Sequence, residues 1–154
     1  MDGKICTLKD IHETRGRILG VDFGDTRTGL AVSDAGRLLA SGIGYVSPGG
    51  IKKTAEAVAE IAKKEASVAV VVGLPKNMDG SEGFRAERCR EFATLLAEAL
   101  PTHPVAMMDE RLTTVSASRY LNETGTRGAK RRSVIDTLSA QIILQNTLDR
   151  LKNL

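Results

Sequence analysis

Tryptophan is absent from this 154-residue chain, and its aromatic residues are three phenylalanines and two tyrosines. A base-stacking platform is therefore not expected to dominate any contact with single-stranded nucleic acid. Histidine occurs twice, at His12 and at His103 beside Pro104, and neither position suggests a histidine general base or a histidine metal site. Cys6 and Cys89 lie far apart with no second thiol or histidine near either, which excludes a zinc pattern and a disulfide framework. Free thiols in a reducing compartment are the expectation. The longest purely apolar run, Val68 to Val72, is too short to span a bilayer, and no positively charged leader followed by an apolar stretch opens the chain. These features point to a cytoplasmic protein. Internal repeats and low-complexity segments are lacking too, so residues 17–154 are read as one domain.

What is present centres on Ile18 to Asp34, ILGVDFGDTRTGLAVSD. An apolar strand ends in a carboxylate, turns through Gly24 and Asp25, and returns through Leu30, Ala31 and Val32, the pattern of a hairpin. Asp22 stands between Val21 and Phe23, where an uncompensated carboxylate would cost several kcal/mol. A metal ion would compensate it, and so would backbone amides if Asp22 only caps the turn. Before the hairpin, residues 1–16 mix charges with few apolar side chains and show no period, so they are read as an extension with a composition that permits partial disorder.

After the hairpin, Leu38 to Val46 reads as a third strand whose glycines at 42 and 44 imply a bulge or a close backbone approach. Ser47 to Gly50 breaks the chain, and Ile51, Ala55, Val58 and Ala62 recur at helical spacing. Val68 to Leu74 is a β-branched run following a helix, as in a parallel strand covered on both faces. A turn-rich loop over Pro75 to Ser81 leads to a helix from about Glu82 to Leu100. Val105 to Glu110 reads as a fifth strand, followed by a short helix capped by Thr113 or Thr114, a basic loop from Gly125 to Arg132, and a last helix from Val134 to Leu151. The order implies an α/β fold with a mixed five-stranded sheet and helices on both faces.

The net charge of +3 is modest, but Arg111, Arg119, Arg127, Lys130, Arg131 and Arg132 face only Glu123 as a counter-charge within their stretch. This run is a candidate surface for an anionic ligand, although a solvated loop has the same composition. Acids fall at the ends of elements: Asp22, the pair Asp109 and Glu110, and Asp136. Adjacent strand residues face opposite ways, so only one of Asp109 and Glu110 belongs in a common site. Asp136 shares a helix face with Ser139, Ala140 and Ile143, whose small members would let that face approach the sheet. Alternatively, Ser133 and Asp136 form a capping box at the helix start. Three carboxylates from separate elements can hold Mg²⁺ or Mn²⁺, and two such ions about 3.5 to 4 Å apart suit phosphodiester hydrolysis. The loop GLPKNMDGSEG has neither P-loop nor dinucleotide spacing; Lys76 and Asn77 could meet a phosphate there, or Asp79-Gly80 could simply turn with Ser81 or its neighbour as a cap.

Four strings, ILGVDFGDTRTGLAVSD, VVGLPKNMDGSEGFRAE, MMDERLTTVSA and KRRSVIDTLSAQIILQNTLD, together resemble the YqgF family, the RuvX-like pre-16S ribosomal RNA nucleases related to RuvC Holliday-junction resolvases. The resemblance runs from Ile18 to Asp149. It implies an RNase H-like fold and metal-dependent hydrolysis of phosphodiester bonds, with Asp22, Glu110 and Asp136 as catalytic metal ligands. Glu110 is preferred to Asp109. It further implies precursor ribosomal RNA as substrate; the residues themselves make Lys76, Asn77, Arg127, Lys130, Arg131 and Arg132 the candidate contacts to nucleic acid. Where resolvases carry an acid after the fourth strand, this chain reads Leu74-Pro75-Lys76, which weakens any transfer of the resolvase mechanism. The rival readings are a non-catalytic RNA-binding assembly factor and a junction-cleaving DNA nuclease. A sugar-kinase or actin-like ATPase would need two such domains, and the chain has room for one.

Overall fold

The computed structural model describes residues 4–109 and 128–154, with side chains described throughout except over 128–136. The expected short helix after Thr113, together with Glu110 and Arg127, lies outside the described residues. The hairpin is present: β1 (Arg17–Asp22) pairs antiparallel with β2 (Thr28–Ser33), in register from Leu19 opposite Val32 to Asp22 opposite Gly29. β3 (Ala40–Val46) pairs antiparallel with β2. β4 (Ser67–Leu74) lies parallel to β1, and β5 (Val105–Asp109) lies parallel to β4. The sheet order is therefore β3-β2-β1-β4-β5.

Strand alternation divides the core into two layers. Leu19, Val21, Val70, Val72 and Val105 pack against α2 (Ile51–Lys64) and α3 (Phe84–Ala99), through Val58, Phe92 and Leu96 among others. Ile18, Ala69, Val71, Ala106 and Met108 pack on the opposite face against the last helix, through Ala140, Ile143, Leu144 and Leu148. Here the helices are numbered in chain order, so the last, Gly128–Leu151, is α4 and the first, Leu8–His12, is α1. Among the described residues no helix is long and apolar enough to cross a membrane.

The glycines of β3 do both things that were expected of them. The ladder skips Ile43, passing from Leu30 opposite Gly44 to Ala31 opposite Gly42, and Gly44 has a φ of +114°. At Gly42 a Cβ would collide with the Thr137 side chain of α4.

Two expectations are corrected. Residues 4–16 are not a loose extension, because α1 is closed by a reciprocal cap between Thr7 and Asp10 and buries Ile11 completely. The Cys6 amide donates to the Val105 carbonyl at 2.8 Å, so this segment covers the outer edge of β5. Arg37 holds the segment in place: its guanidinium donates to the carbonyls of Gly16 (2.8 Å) and Ile11 (3.1 Å) and to the Thr14 hydroxyl (2.6 Å). These three bonds offset the cost of its left-handed φ of 59°, about 1 to 2 kcal/mol. The second correction concerns α4, which begins at Gly128, so Lys130, Arg131 and Arg132 lie on a helix and not in a loop. Ala, Lys and Arg are strong helix formers, and nothing between Gly128 and Ser133 stops the helix. Ser133 is thus an interior helical position and not the N-cap residue that a capping box with Asp136 requires.

Replacing Arg37 with alanine is expected to accelerate amide exchange in residues 4–16 while leaving β1 and β4 protected. Unchanged exchange in that segment would show that Ile11 alone anchors it. The β2–β3 turn supplies a pH test. The Asp34 carboxylate accepts from the Leu38 and Leu39 amides at 2.8 and 3.0 Å, which holds its pKa below the ordinary 3.8. Its folded value is depressed, so its stabilisation is complete above the unfolded value and is lost as pH falls through the folded one. Denaturation of Asp34→Asn should show a stability deficit at neutral pH that closes on acidification below the carboxylate range.

Candidate active site

The carboxyl ends of the three parallel strands form one edge of the sheet, and Asp22 and Asp109 are the last residues of β1 and β5. Along β1, Ile18 and Gly20 face α4, Leu19 and Val21 face α2 and α3, and Asp22 continues the α4 series. Asp109 continues the series of Val105 and Met107, which pack toward α2 and α3. The two aspartates therefore face opposite sides of the sheet. They also stand two strands apart, about 10 Å between backbones.

α4 crosses that sheet face very closely. A Cβ added to Gly20 would lie 2.7 Å from the Leu144 Cβ and 3.2 Å from the Ala140 carbonyl oxygen. Leu148 and Leu151, near the end of α4, line a cavity with Gly16 at the amino end of β1, so α4 runs antiparallel to the strand. Moving from Gly20 to Asp22 advances about 6.6 Å, which corresponds to four or five residues of helix. That displacement leads from the Ala140–Leu144 contact back toward the turn containing position 136. Positions 136 and 140 share one stripe of the helix, and Ala140 is fully buried. One turn after position 136, Ser139 is buried with its hydroxyl unpaired.

The hairpin that carries Asp22 closes tightly. Gly24 is required there, since a Cβ would strike the Arg27 carbonyl oxygen. The Thr28 hydroxyl bridges the Gly24 amide and carbonyl at 3.4 and 3.3 Å. Among the described residues no three of His, Cys, Asp and Glu gather. Of the three expected carboxylates, the side chains of Glu110 and Asp136 are not among those described, nor are those of Arg127, Lys130, Arg131 and Arg132.

The loop between β4 and α3 is held by its own bonds. The Asn77 amide side chain donates to the Ser81 hydroxyl at 2.9 Å, and the Asp79 carboxylate accepts from the Ser81 amide (2.9 Å) and hydroxyl (2.6 Å). Asn77 therefore shapes the loop. Lys76 is half-buried beside it. The expected Asp79-Gly80 turn is there, with Gly80 at φ +89°. Ser81 does not cap α3, however, because the cap position is Gly83, which offers no side chain. Glu82 forms a two-pronged pair with Arg90, both contacts 2.7 Å, which holds its carboxyl below the ordinary range.

Sequence reasoning missed a group of arginines at the same edge. A cavity of about 330 Å³ lies between the hairpin turn and α3, lined by Asp25, Arg27, Arg85 and Arg88 over Phe23 and Cys89. Asp25 accepts from Arg88 at 3.0 Å and ties the turn to α3. The string DTR carries one member of the group, but Arg27 is separated from Arg85 and Arg88 in sequence, so no local run of charge marks the cavity.

A family model described as RuvX, Holliday junction resolvase, matches residues 16–150. The chain belongs to the RuvX family. Among curated relatives, a protein of Myxococcus xanthus is 47% identical over 133 residues, covering 86% of this chain and 87% of its own length. One from Ruminiclostridium cellulolyticum is 41% identical over 136 residues, covering 88% and 95%. Both are named "Putative pre-16S rRNA nuclease". Among solved structures, Thermus thermophilus RuvC in complex with a Holliday junction substrate superposes with a TM-score of 0.55 at 17% identity, covering 89% of this chain and 96% of that one. The fowlpox virus Holliday junction resolvase gives 0.52 at 12% identity, over 90% and 99%. The expected RNase H-like architecture is thus present in this RuvX chain, with helices on both faces of a mixed sheet.

Because the approach of α4 depends on the missing side chain at position 20, Gly20→Ala is expected to destabilise the protein by about 1 to 3 kcal/mol, as overpacking does. A urea denaturation midpoint equal to that of the wild type would show that α4 can retreat at no cost.

Proposed function

We propose that this RuvX chain is a metal-dependent endonuclease that cleaves phosphodiester bonds in precursor 16S ribosomal RNA near its 5′ end, with Asp22, Glu110 and Asp136 as its catalytic acids. The observation that carries this is the position of Asp22, half-buried at the carboxyl edge of the sheet on the face that α4 crosses at closest approach. The family of nucleases to which the chain belongs supports the reaction class. The names of the relatives support RNA as substrate, and the family description supports a DNA junction as the competing one.

Glu110 is preferred to Asp109 because strand parity sets Asp109 against the opposite layer. Asp136 is preferred as a ligand because its capping role has vanished with the helix start at Gly128. The donor set fits a hard cation: carboxylate oxygens, with His12, His103 and Cys6 far from this edge and Cys89 on the α3 side of the sheet. Mg²⁺ or Mn²⁺ bound there would supply Lewis acidity toward the phosphodiester and lower the pKa of attacking water. The protein's own part would be to bring together three carboxylates that lie on separate segments of the chain. Arg127, Lys130, Arg131 and Arg132, around the start of α4, would bind substrate phosphates, a salt-sensitive and largely sequence-independent contribution. Lys76 would add a further contact from the β4–α3 loop, while Asn77 keeps that loop in shape.

Labelled precursor-like RNA and a DNA four-way junction, each incubated with Mg²⁺ or Mn²⁺ and with EDTA, test the reading. Cleavage of the RNA should require the metal and fall by at least about a hundredfold in Asp22→Asn and Glu110→Gln, the scale of losing a catalytic group. Asp109→Asn should retain most of it. Cleavage of the junction alone would make the chain a DNA nuclease. Binding without cleavage under every condition would make it an RNA-binding assembly factor.

A further inference from the structure

The arginine-lined cavity between the hairpin turn and α3 is separate from the proposed acid site, since it opens on the α3 side of the sheet. Arg27, Arg85 and Arg88 line it together with Asp25. Arg88 is committed to Asp25 and Glu91 at 3.0 and 3.1 Å, and it fixes the wall. Arg27 lies with its guanidinium carbon 5.7 Å from the centre of the Tyr45 ring, which steadies it against β3. Arg85 is exposed and has no ion-pair partner among the described residues.

Beside this cavity stands an aromatic side chain that the core does not use. Phe84, the first residue of α3, is 71% exposed, and it lies one helical turn ahead of Arg88 on the same face. Leaving so large an apolar ring in water, one residue before Arg85 and one turn before Arg88, brings no folding benefit. The combination suits a polyanion with planar apolar groups, which describes an unpaired nucleotide: its base offers a face for stacking and its phosphate a charge for Arg85 and Arg27. A base pair within a continuous duplex offers no such face, because both sides are already stacked.

Resting on the nuclease reading above, we propose that Phe84 and the Arg27–Arg85 cavity form an accessory site for one unpaired nucleotide flanking the scissile region. The base stacks on Phe84 and the adjoining phosphate enters the 330 Å³ cavity. The substrate strand would then cross the carboxyl edge of the sheet from the α4 side to the α3 side, which gives the enzyme a preference for single-stranded flanks.

The test is fluorescence anisotropy of labelled oligouridine and of a blunt RNA duplex, in EDTA so that nothing is cleaved. Phe84→Ala should weaken oligouridine binding about tenfold, within the range for losing one stacked base. It should leave duplex binding, melting temperature and the salt dependence unchanged, and Phe84→Tyr should restore the affinity. Arg85→Ala should weaken oligouridine binding and reduce the slope of log affinity against log salt by about one phosphate contact. If wild type and Phe84→Ala bind oligouridine equally, or if the variant loses duplex affinity to the same degree, the accessory site is wrong while the nuclease reading stands. If wild type binds neither oligonucleotide and also cleaves no RNA or DNA with metal present, both readings fall together.

Discussion

The contact on which the rest of the structure depends is the passage of α4 over Gly20. Helices normally ride on a sheet at a distance set by side chains from both layers, and here one layer is missing at the crossing. The Ala140 carbonyl and the Leu144 Cβ occupy the space where any side chain on residue 20 would have to sit. Gly42 makes the same allowance on β3, where Thr137 fills the gap. Two glycines on adjacent parts of the sheet thus set both the height and the direction of α4. Gln141 and Gln145 pin the helix further, the first donating to the Ala40 carbonyl and the second accepting from the Ala40 amide.

This arrangement makes the carboxyl edge asymmetric. On the α4 side it presents Asp22 near the first half of a long helix, whose positions 130 to 132 are basic. On the α3 side it presents a cavity walled by arginines, with the hairpin turn as the divider. Gly24 lets that turn close within a few residues, so the acid at the end of β1 and Arg27 just before β2 stay close in sequence yet serve different faces. Under the proposed function, a nucleic acid strand approaching the edge would meet the basic positions of α4 on one side of Asp22 and the arginine-lined cavity on the other. The Arg88–Asp25 pair keeps turn and helix together across that division.

Much of this was legible along the chain. Period-two and helical patterns located the hairpin, the covered β4, α2 and α3, because those signals are local and strong. Asp22 stood out because a carboxylate within an apolar strand demands compensation. The amino-terminal segment was not legible: α1 has five residues and one fully buried side chain, and its anchor, Arg37, lies more than twenty residues away. The start of α4 is not legible either: a run of basic residues has the composition of a solvated loop, yet lysine and arginine favour helix unless packing or a breaker intervenes.

The residue pattern by itself determined the alternation of elements, the acid that ends β1 and the family resemblance, since each is written in neighbouring residues or in motifs of fixed spacing. Tertiary structure alone decided which face each strand-end acid serves, that Asn77 is spent on its own loop, and that Arg27 and Arg85, 58 residues apart in the chain, line one cavity. Those outcomes depend on strand register and on how closely a helix can approach a glycine, and neither is set until distant segments pack against each other.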